Sequence, residues 1–455
     1  MKILLFATPI ENVSKQDASY PMGIAFIGTV LEKKGHEVKV FDFSFEDSKK
    51  ILLKLEKIII SEKPDIVGLS SMTANRTSSF KLASLTKKIN PDIKVILGGV
   101  HPTIMYEQIL KKIPIDFIVI GEGEETMLEL VDLIEKKKDI SKFKDVKGIA
   151  FKLKGEIIKT EARPFIKDLD TLPIPNHLYF KDRILKEKLF YLNVSRGCPF
   201  ACTFCSSSIH WGRVVRRRSP KKVIEELKLL KKQFPEINHV NFNDDEFLVN
   251  HKWVKEFCHL LKKENLNIEW VCGARVTSIN DEIIKLIKSA GCQRISLGLE
   301  SGSPKMLKYM NKQITLEQTK KAFDICKRNG MSTLVNLMVG LPGENSKTIN
   351  ETISFIKNLP VDFLYMPSVY HVFPGTKTYE LAKEQGFISD DYWLTSKIVP
   401  FYTHHHSRIR LIYWSFKIAF FYNLYNGELS LFFYNLFKNN LHLKQMKRVI
   451  RRYFI

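Results

Sequence analysis

Short apolar runs alternate with longer amphipathic stretches over the first third of the chain. Lys2–Thr8 is an apolar run ending at Pro9, and Val38–Phe43 and Ile66–Ser70 repeat the pattern. Lys94–Leu97 runs into Gly98-Gly99, and Phe117–Ile120 runs into Gly121. Between these runs, Ile24–Lys34, Ser79–Ile89 and Thr126–Lys137 carry helical periodicity. Short buried strands separated by helices predict a parallel, doubly wound sheet. Such sheets bind ligands beyond the carboxyl ends of their strands. The loops there are Ser70–Ala74, Gly98–Thr103 and Gly121–Glu124.

Residues 139–184 read as a linker, with a small hairpin at Ile149–Leu153 and Ile157–Lys159 and a proline-set run, Leu172-Pro173-Ile174-Pro175. Alternation then resumes. Strands are predicted at Tyr191–Val194, Val240–Asn243, Ile268–Cys272, Arg294–Gly298, Thr333–Val339 and Phe363–Tyr370, with helices between them. Six such units predict a partial (β/α)6 barrel with its chemistry at the strands' carboxyl ends. Aromatics from Phe401 to Phe437 are interleaved with Arg408, Arg410, Lys417 and Lys438, and Lys444, Lys447, Arg448, Arg451 and Arg452 follow. The expected fold is therefore α/β. A doubly wound, Rossmann-like domain (1–138) and a linker (139–184) precede a barrel (185–395) and a helical, aromatic and basic carboxy-terminal region (396–455).

No stretch reaches the roughly 18 apolar residues of a spanning helix. The start, MKILLFATPI, leads straight into the first strand rather than resembling a signal peptide. The expectation is a cytoplasmic or membrane-surface protein. A net charge of +22 points to an anionic partner without identifying one. Lysines such as Lys49, Lys50, Lys54 and Lys57 fit a solvated helix face.

The seven cysteines change the picture. None precedes residue 198, and three are packed into eight residues as Cys198-Pro-Phe-Ala-Cys202-Thr-Phe-Cys205. An odd count with a tight cluster argues for a metal site over a disulfide framework. Three thiolates in a strand-to-helix loop can hold three irons of a cubane and leave the fourth open to a small chelating molecule. The alternative, structural zinc, needs four ligands, and His210 is the nearest candidate for the fourth. Cys258, Cys272, Cys292 and Cys326 read as packed thiols, although Cys272 ends a strand and could instead face the cavity.

With these motifs the chain resembles the radical S-adenosylmethionine (SAM) superfamily over about residues 185–390. The resemblance implies that Cys198, Cys202 and Cys205 hold a [4Fe–4S] cluster and that Phe204 lies near the adenine of SAM. It implies that Asp244, Asp245 and Glu246, after the second strand, lie where the methionyl amine is bound, and that Arg275 meets the carboxylate. Ser296, Gly298, Glu300 and Ser301 are similar to ribose and carboxylate contacts, and Gly340 and Pro342 to the adenine-side loop. An electron donor such as flavodoxin or ferredoxin is implied as a partner.

The amino-terminal domain resembles the cobalamin-binding (B12-binding) domain that precedes many radical SAM cores. The matching residues are Ser70, Ser71, Thr73, Gly98, Gly99, His101, Gly121, Glu122 and Gly123, which the resemblance makes cobalamin contacts. The Asp-x-His-x-x-Gly motif that ligates cobalt is absent, and His36 and His101 are the domain's two histidines. The resemblance thus implies a cobalt without a protein imidazole.

The implied activity is methyl transfer to an unactivated carbon, with methylcobalamin as methyl carrier and a 5′-deoxyadenosyl radical made from a second SAM. Oxidative ring formation or rearrangement with the same cofactors is the alternative. A methylthiotransferase is disfavoured, because that family carries three further cysteines in a domain that here has none, and nucleic acid is disfavoured with it. A non-enzymatic binding protein would not need the cysteine cluster. The aromatic, basic tail hints at a hydrophobic or lipid-like substrate and at a membrane surface. Its alternative is a helical cap on the barrel. His404-His405-His406 reads as a solvated run rather than a metal site.

Overall fold

The computed structural model describes residues 1–10, 19–46, 48–395, 398–427 and 429. The first domain alternates β1 (Lys2–Ala7), α1 (Met22–Lys33), β2 (Glu37–Asp42), α2 (Ser48–Glu62), β3 (Ile66–Ser70), α3 (Arg76–Ile89), β4 (Lys94–Gly98), α4 (Val100–Lys112), β5 (Phe117–Val119) and α5 (Glu124–Glu135). The five strands are parallel in the order β2-β1-β3-β4-β5. The strands read as apolar runs because helices cover both faces of the sheet, leaving Ile3, Leu4, Ile66, Val67, Val95 and Leu97 fully buried.

Two features differ from expectation. The hairpin β6 (Ile149–Leu153) and β7 (Glu156–Lys159) is not a separate connector. It continues the first sheet, with β6 antiparallel to β5. The span from Gly98 to Thr103 is also not all loop, because α4 begins at Val100. Gly99 makes the turn at φ +107°, where a Cβ would stand 2.6 Å from the Ser71 carbonyl oxygen. Pro102 falls in the first helical turn, where a missing N–H costs nothing.

The second domain begins with α6 (Lys181–Glu187), β8 (Leu189–Leu192), β9 (Ser195–Arg196), α7 (Ser207–Trp211), β10 (Arg216–Arg217), α8 (Pro220–Gln233), β11 (His239–Phe242), α9 (His251–Lys263) and β12 (Glu269–Ala274). It continues with α10 (Asp281–Ser289), β13 (Cys292–Glu300), α11 (Pro304–Tyr309), α12 (Leu316–Arg328), β14 (Ser332–Val339), α13 (Ser346–Ile356), β15 (Phe363–Leu364), β16 (Ser368–Val369) and α14 (Lys377–Glu384). The order β15-β14-β13-β12-β11-β8, parallel throughout, is an open barrel. The expected last strand is split into β15 and β16, both paired with β14. Pro367, which has no N–H to give a ladder, stands immediately before β16. Cys272 alternates with Val271 and Gly273 and lies on the core side with Trp270, and Cys258, Cys292 and Cys326 are buried in the same core.

The tail helix α15 (Arg408–Tyr425) packs one side on the barrel as a cap, while Tyr413, Leu424 and Tyr425 stay exposed. Leu411, Trp414, Ile418 and Tyr422 are buried, Tyr422 donates to the Val361 carbonyl at 2.9 Å, and Lys417 reaches Asn350 at 2.8 Å. His406 bonds the Glu344 carbonyl at 2.9 Å and packs on Trp414, while His404 and His405 are exposed, as a solvated run would be. Phe433–Phe437 and the basic residues from Lys444 to Arg452 lie outside the described residues. Among the described residues no helix is long and apolar enough to cross a membrane.

The two domains share a core. One apolar cluster joins Leu4, Phe6 and Leu97 to Met306, Met310, Leu341, Tyr370 and Trp393. Arg76, 2% exposed, locks the contact. Its Nε donates to the Trp393 carbonyl at 2.9 Å, Nη1 to Thr73 at 2.8 Å and Nη2 to Thr395 at 3.3 Å.

Candidate active site

The three cysteines sit in the loop between β9 and α7, at the carboxyl end of the barrel. The loop's base is a two-stranded ribbon in which Ser195-Arg196 pairs with Arg216-Arg217. Gly197 then turns the chain at φ +94°, and a Cβ there would run into the Val214 carbonyl. The far side of the loop is tied to the segment after β13. Thr203 N donates to Met310 O at 3.0 Å, and Asn311 donates to Ala201 O at 3.0 Å. The thiols are half-buried neighbours, and burial pushes Cys205 up to about 11. Iron would deprotonate them on binding. Among the described residues no three His, Cys, Asp or Glu side chains converge as a single metal ion would require. A cubane asks for something different, because each thiolate takes its own iron and the sulfurs stand apart around it. His210, considered as a zinc ligand, packs its buried ring on Trp211 at 4.3 Å, and burial lowers its pKa to about 4.

Around the loop the expected SAM residues divide. Arg275 lies beside the cysteines: Nη1 is 3.7 Å from the Cys202 sulfur, the guanidinium is 3.6 Å from the Phe200 ring centre, and Nη2 donates to the Lys312 carbonyl. Its buried Nε has no partner. Glu246 accepts the Arg275 N–H at 2.6 Å through one carboxylate oxygen, while the other is buried and unpartnered. Burial raises Glu246 to about 7. Asp245 is exposed and accepts from the Ser207 hydroxyl at 2.5 Å. Ser296, Gly298 and Glu300 share the partly open face of β13, alternating with buried Leu297 and Leu299. Phe204 is half-buried on the core the domains share.

Two expected residues are committed elsewhere. Asp244 is buried and accepts from Ser195 and Val194, bracing the end of β8 against β11 instead of facing a ligand. Ser301, 1% exposed, bonds Thr352 at 3.2 Å and the Ser303 N–H at 3.2 Å on the α13 side. A residue the sequence did not mark, Lys312, is 6% exposed and pairs with Glu300 at 2.8 Å. Nothing in the local pattern distinguishes it from the other lysines.

The loop after β14 is drawn tight by Glu344, whose carboxylate accepts the Gly340 N–H, and Pro342 between them is buried. Burial raises Glu344 from its ordinary 4.5 to about 7. The folded chain therefore keeps a proton there that the unfolded chain releases. That contribution to stability is complete below 4.5 and falls as pH rises to about 7. Glu344→Gln, neutral throughout, should flatten this part of the curve of melting temperature against pH. An unchanged slope would refute the assignment.

In the first domain, the carboxyl-end crest is made by Ser70, Ser71, Gly98, Gly99, Gly121 and Gly123. Ser71 is fully buried and its hydroxyl has no partner. His101 is not on the crest surface. It is fully buried, bonds Thr73 at 3.3 Å and meets the edge of Trp393 at 5.9 Å, and burial lowers its pKa to about 3. Glu122 also departs from expectation. It is 8% exposed and holds Arg196 at 2.5 Å, Arg216 at 2.8 Å and the Ile166 N–H at 2.7 Å.

The unpartnered groups fit the expected cofactors. Arg275 Nε suits a carboxylate, Glu246 an ammonium, and Ser71 a polar edge of a large ligand beside the Gly98-Gly99 turn. The family model of the radical SAM superfamily matches residues 192–356, and that of the B12 binding domain matches 13–131. An uncharacterized methyltransferase of Pyrococcus horikoshii is 34% identical over 389 residues, which are 84% of this chain and 83% of the relative. The chain belongs to the cobalamin-dependent radical SAM enzymes. An anaerobic magnesium-protoporphyrin IX monomethyl ester cyclase of Rubrivivax gelatinosus is 35% identical over 349 residues, 74% of this enzyme but 62% of the cyclase. The fold matches that of TsrM, a radical SAM methyltransferase from Kitasatospora setae solved with cobalamin and [4Fe-4S] cluster bound. The TM-score is 0.71 at 19% identity, covering 84% of this enzyme and 78% of TsrM. The enzyme's cofactors are thus SAM, a [4Fe–4S] cluster and cobalamin, and radical SAM enzymes generally need a reductant such as flavodoxin or ferredoxin.

Proposed function

We propose that the enzyme is a methyltransferase acting on an unactivated carbon. The observation that carries this reading is the setting of the three thiols. They lie at the barrel's carboxyl end, on a ribbon pinned directly to the glycine crest of the first domain. The similarity to a methyltransferase over most of both chains supports it. Cys198, Cys202 and Cys205 would hold the cluster, Arg275 and Glu246 would meet the carboxylate and amine of SAM, and Phe204 and Pro342 would border the adenine. Ser296, Gly298 and Glu300 would line the ribose side, with Lys312 holding Glu300 in place. Ser70, Ser71, Gly98, Gly99 and Gly121 would receive cobalamin. When bound, the cluster supplies the electron that cleaves SAM to a 5′-deoxyadenosyl radical, and cobalamin supplies the methyl group.

The second reading, an oxidative cyclase, rests on the 35% identity to the Rubrivivax cyclase. Incubating the anaerobic enzyme with methyl-deuterated SAM, cobalamin, reductant and cell extract separates the readings by mass spectrometry. A product carrying the deuterated methyl supports methyl transfer. A product that loses hydrogen and gains no label supports the cyclase.

The cobalt should carry no protein imidazole. His101 is enclosed, and His36 lies at the opposite end of the sheet, 3.4 Å from the chain's first nitrogen. Electron paramagnetic resonance of the cob(II)alamin form should lack nitrogen splitting from the protein. Splitting that disappears in His101→Phe would contradict this.

A further inference from the structure

Four charged side chains from two domains meet behind the cysteine loop. Arg196, two residues before Cys198, reaches Glu122 through Nη1 and Glu124 through Nη2, both at 2.5 Å. Arg216, its partner across the ribbon, holds both oxygens of Glu122 at 2.8–2.9 Å and donates to the Ile166 carbonyl at 2.9 Å. All four side chains are 12% exposed or less. The Arg196 guanidinium also stands 5.5 Å from each of two ring centres, Phe26 on α1 of the first domain and Trp211 at the end of α7. One side chain thus touches the glycine–glutamate turn after β5, a helix of the first domain, and the helix that follows the cysteines.

Stability alone does not explain such a cluster. Desolvating four charges costs several kcal/mol per ion, and apolar residues of similar volume often do as well or better. A guanidinium fork between two carboxylates supplies direction instead, fixing angle as well as distance. Gly197 passes that constraint to Cys198, because its turn is closed against the Val214 carbonyl on the return path to Arg216.

We propose that Glu122, Glu124, Arg196 and Arg216 are positioning residues that set the place of the iron–sulfur cluster relative to the cobalamin. The inference rests on the cofactor placement proposed above. The contacts of the four are with one another, with Ile166 and with aromatic rings, so their part would be played through the loop. Their carboxylates hold Arg196, and Arg196 holds the loop.

The test uses the full-length enzyme loaded anaerobically with iron, sulfide and hydroxocobalamin. Arg196→Lys keeps the charge and loses the fork, and Glu124→Gln keeps an acceptor and loses the charge. Both variants should bind iron and cobalamin at the wild-type stoichiometry. The cob(II)alamin signal, whose relaxation reports the proximity of the reduced cluster, should saturate at a changed microwave power, and more so in Arg196→Lys. Wild-type saturation behaviour in both variants would overturn the proposal. Loss of both cofactors or aggregation in both variants would also overturn it, by making the set a plain stability element. A wild-type enzyme that took up no cluster, or no cobalamin, would defeat the underlying cofactor placement as well, and that result is read before any variant is made.

Discussion

Replacing Cys198, Cys202 or Cys205 by Ala should leave a folded protein without its cluster and without SAM cleavage. All three thiols are only half-buried, and none belongs to the apolar core, so their loss removes no packing of consequence. The ribbon, the Gly197 turn and the Thr203 and Asn311 bonds that shape the loop do not use the thiols. Circular dichroism should therefore match the wild type while iron, sulfide and the brown absorption fall away. Production of 5′-deoxyadenosine from SAM and reductant should drop to background. A triple variant that formed it at the wild-type rate would exclude this loop as the cluster site.

Arg76→Ala should be the most damaging single change away from the cofactors. It strips the Thr73, Trp393 and Thr395 carbonyls of a donor at once and removes a cation from the Trp393 ring, 5.1 Å away. Each buried acceptor left unpaired costs about 1–3 kcal/mol, and two of the three, on Trp393 and Thr395, lie across the contact, so the docking of the two domains should weaken by about 2 kcal/mol or more. Limited proteolysis should then cut near Trp393 under conditions that leave the wild type intact. Arg76→Lys can replace one of the three bonds and should fall between. Equal protease resistance in all three proteins would show that Arg76 does not lock the contact.

What could be read from the chain follows the range of the interactions involved. The inner strands of the first sheet were legible because burial on two faces makes them uninterrupted apolar runs, those of the barrel because apolar positions recur along them, and the thiols because their spacing is local. Residues whose role depends on a distant partner were not. Glu122 and Glu124 look like part of a ligand loop until Arg196, more than 70 residues on, is seen to claim them. Asp244 carries the right chemistry for an amine but is used by Ser195, and Ser301 by Thr352. The hairpin at Ile149–Lys159 was found as a hairpin, yet its place on β5 depends on an edge that only the assembled sheet presents. The aromatic tail was ambiguous for the same reason. The same residues can cover a membrane or a barrel, and contacts with Val361, Pro367 and Asn350 place one side of α15 on the barrel.

The contact between Arg76 and Trp393 spans 317 residues of chain. A ribosome making about 5–20 residues per second needs roughly 15–60 s to cover that interval. The first sheet is complete once Lys159 has emerged, long before Trp393 exists. A first domain that folds as a unit would then hold the turns around Ser71 and Gly99 formed but unfastened during synthesis. The direction of translation thus places the building of the crest before its closure.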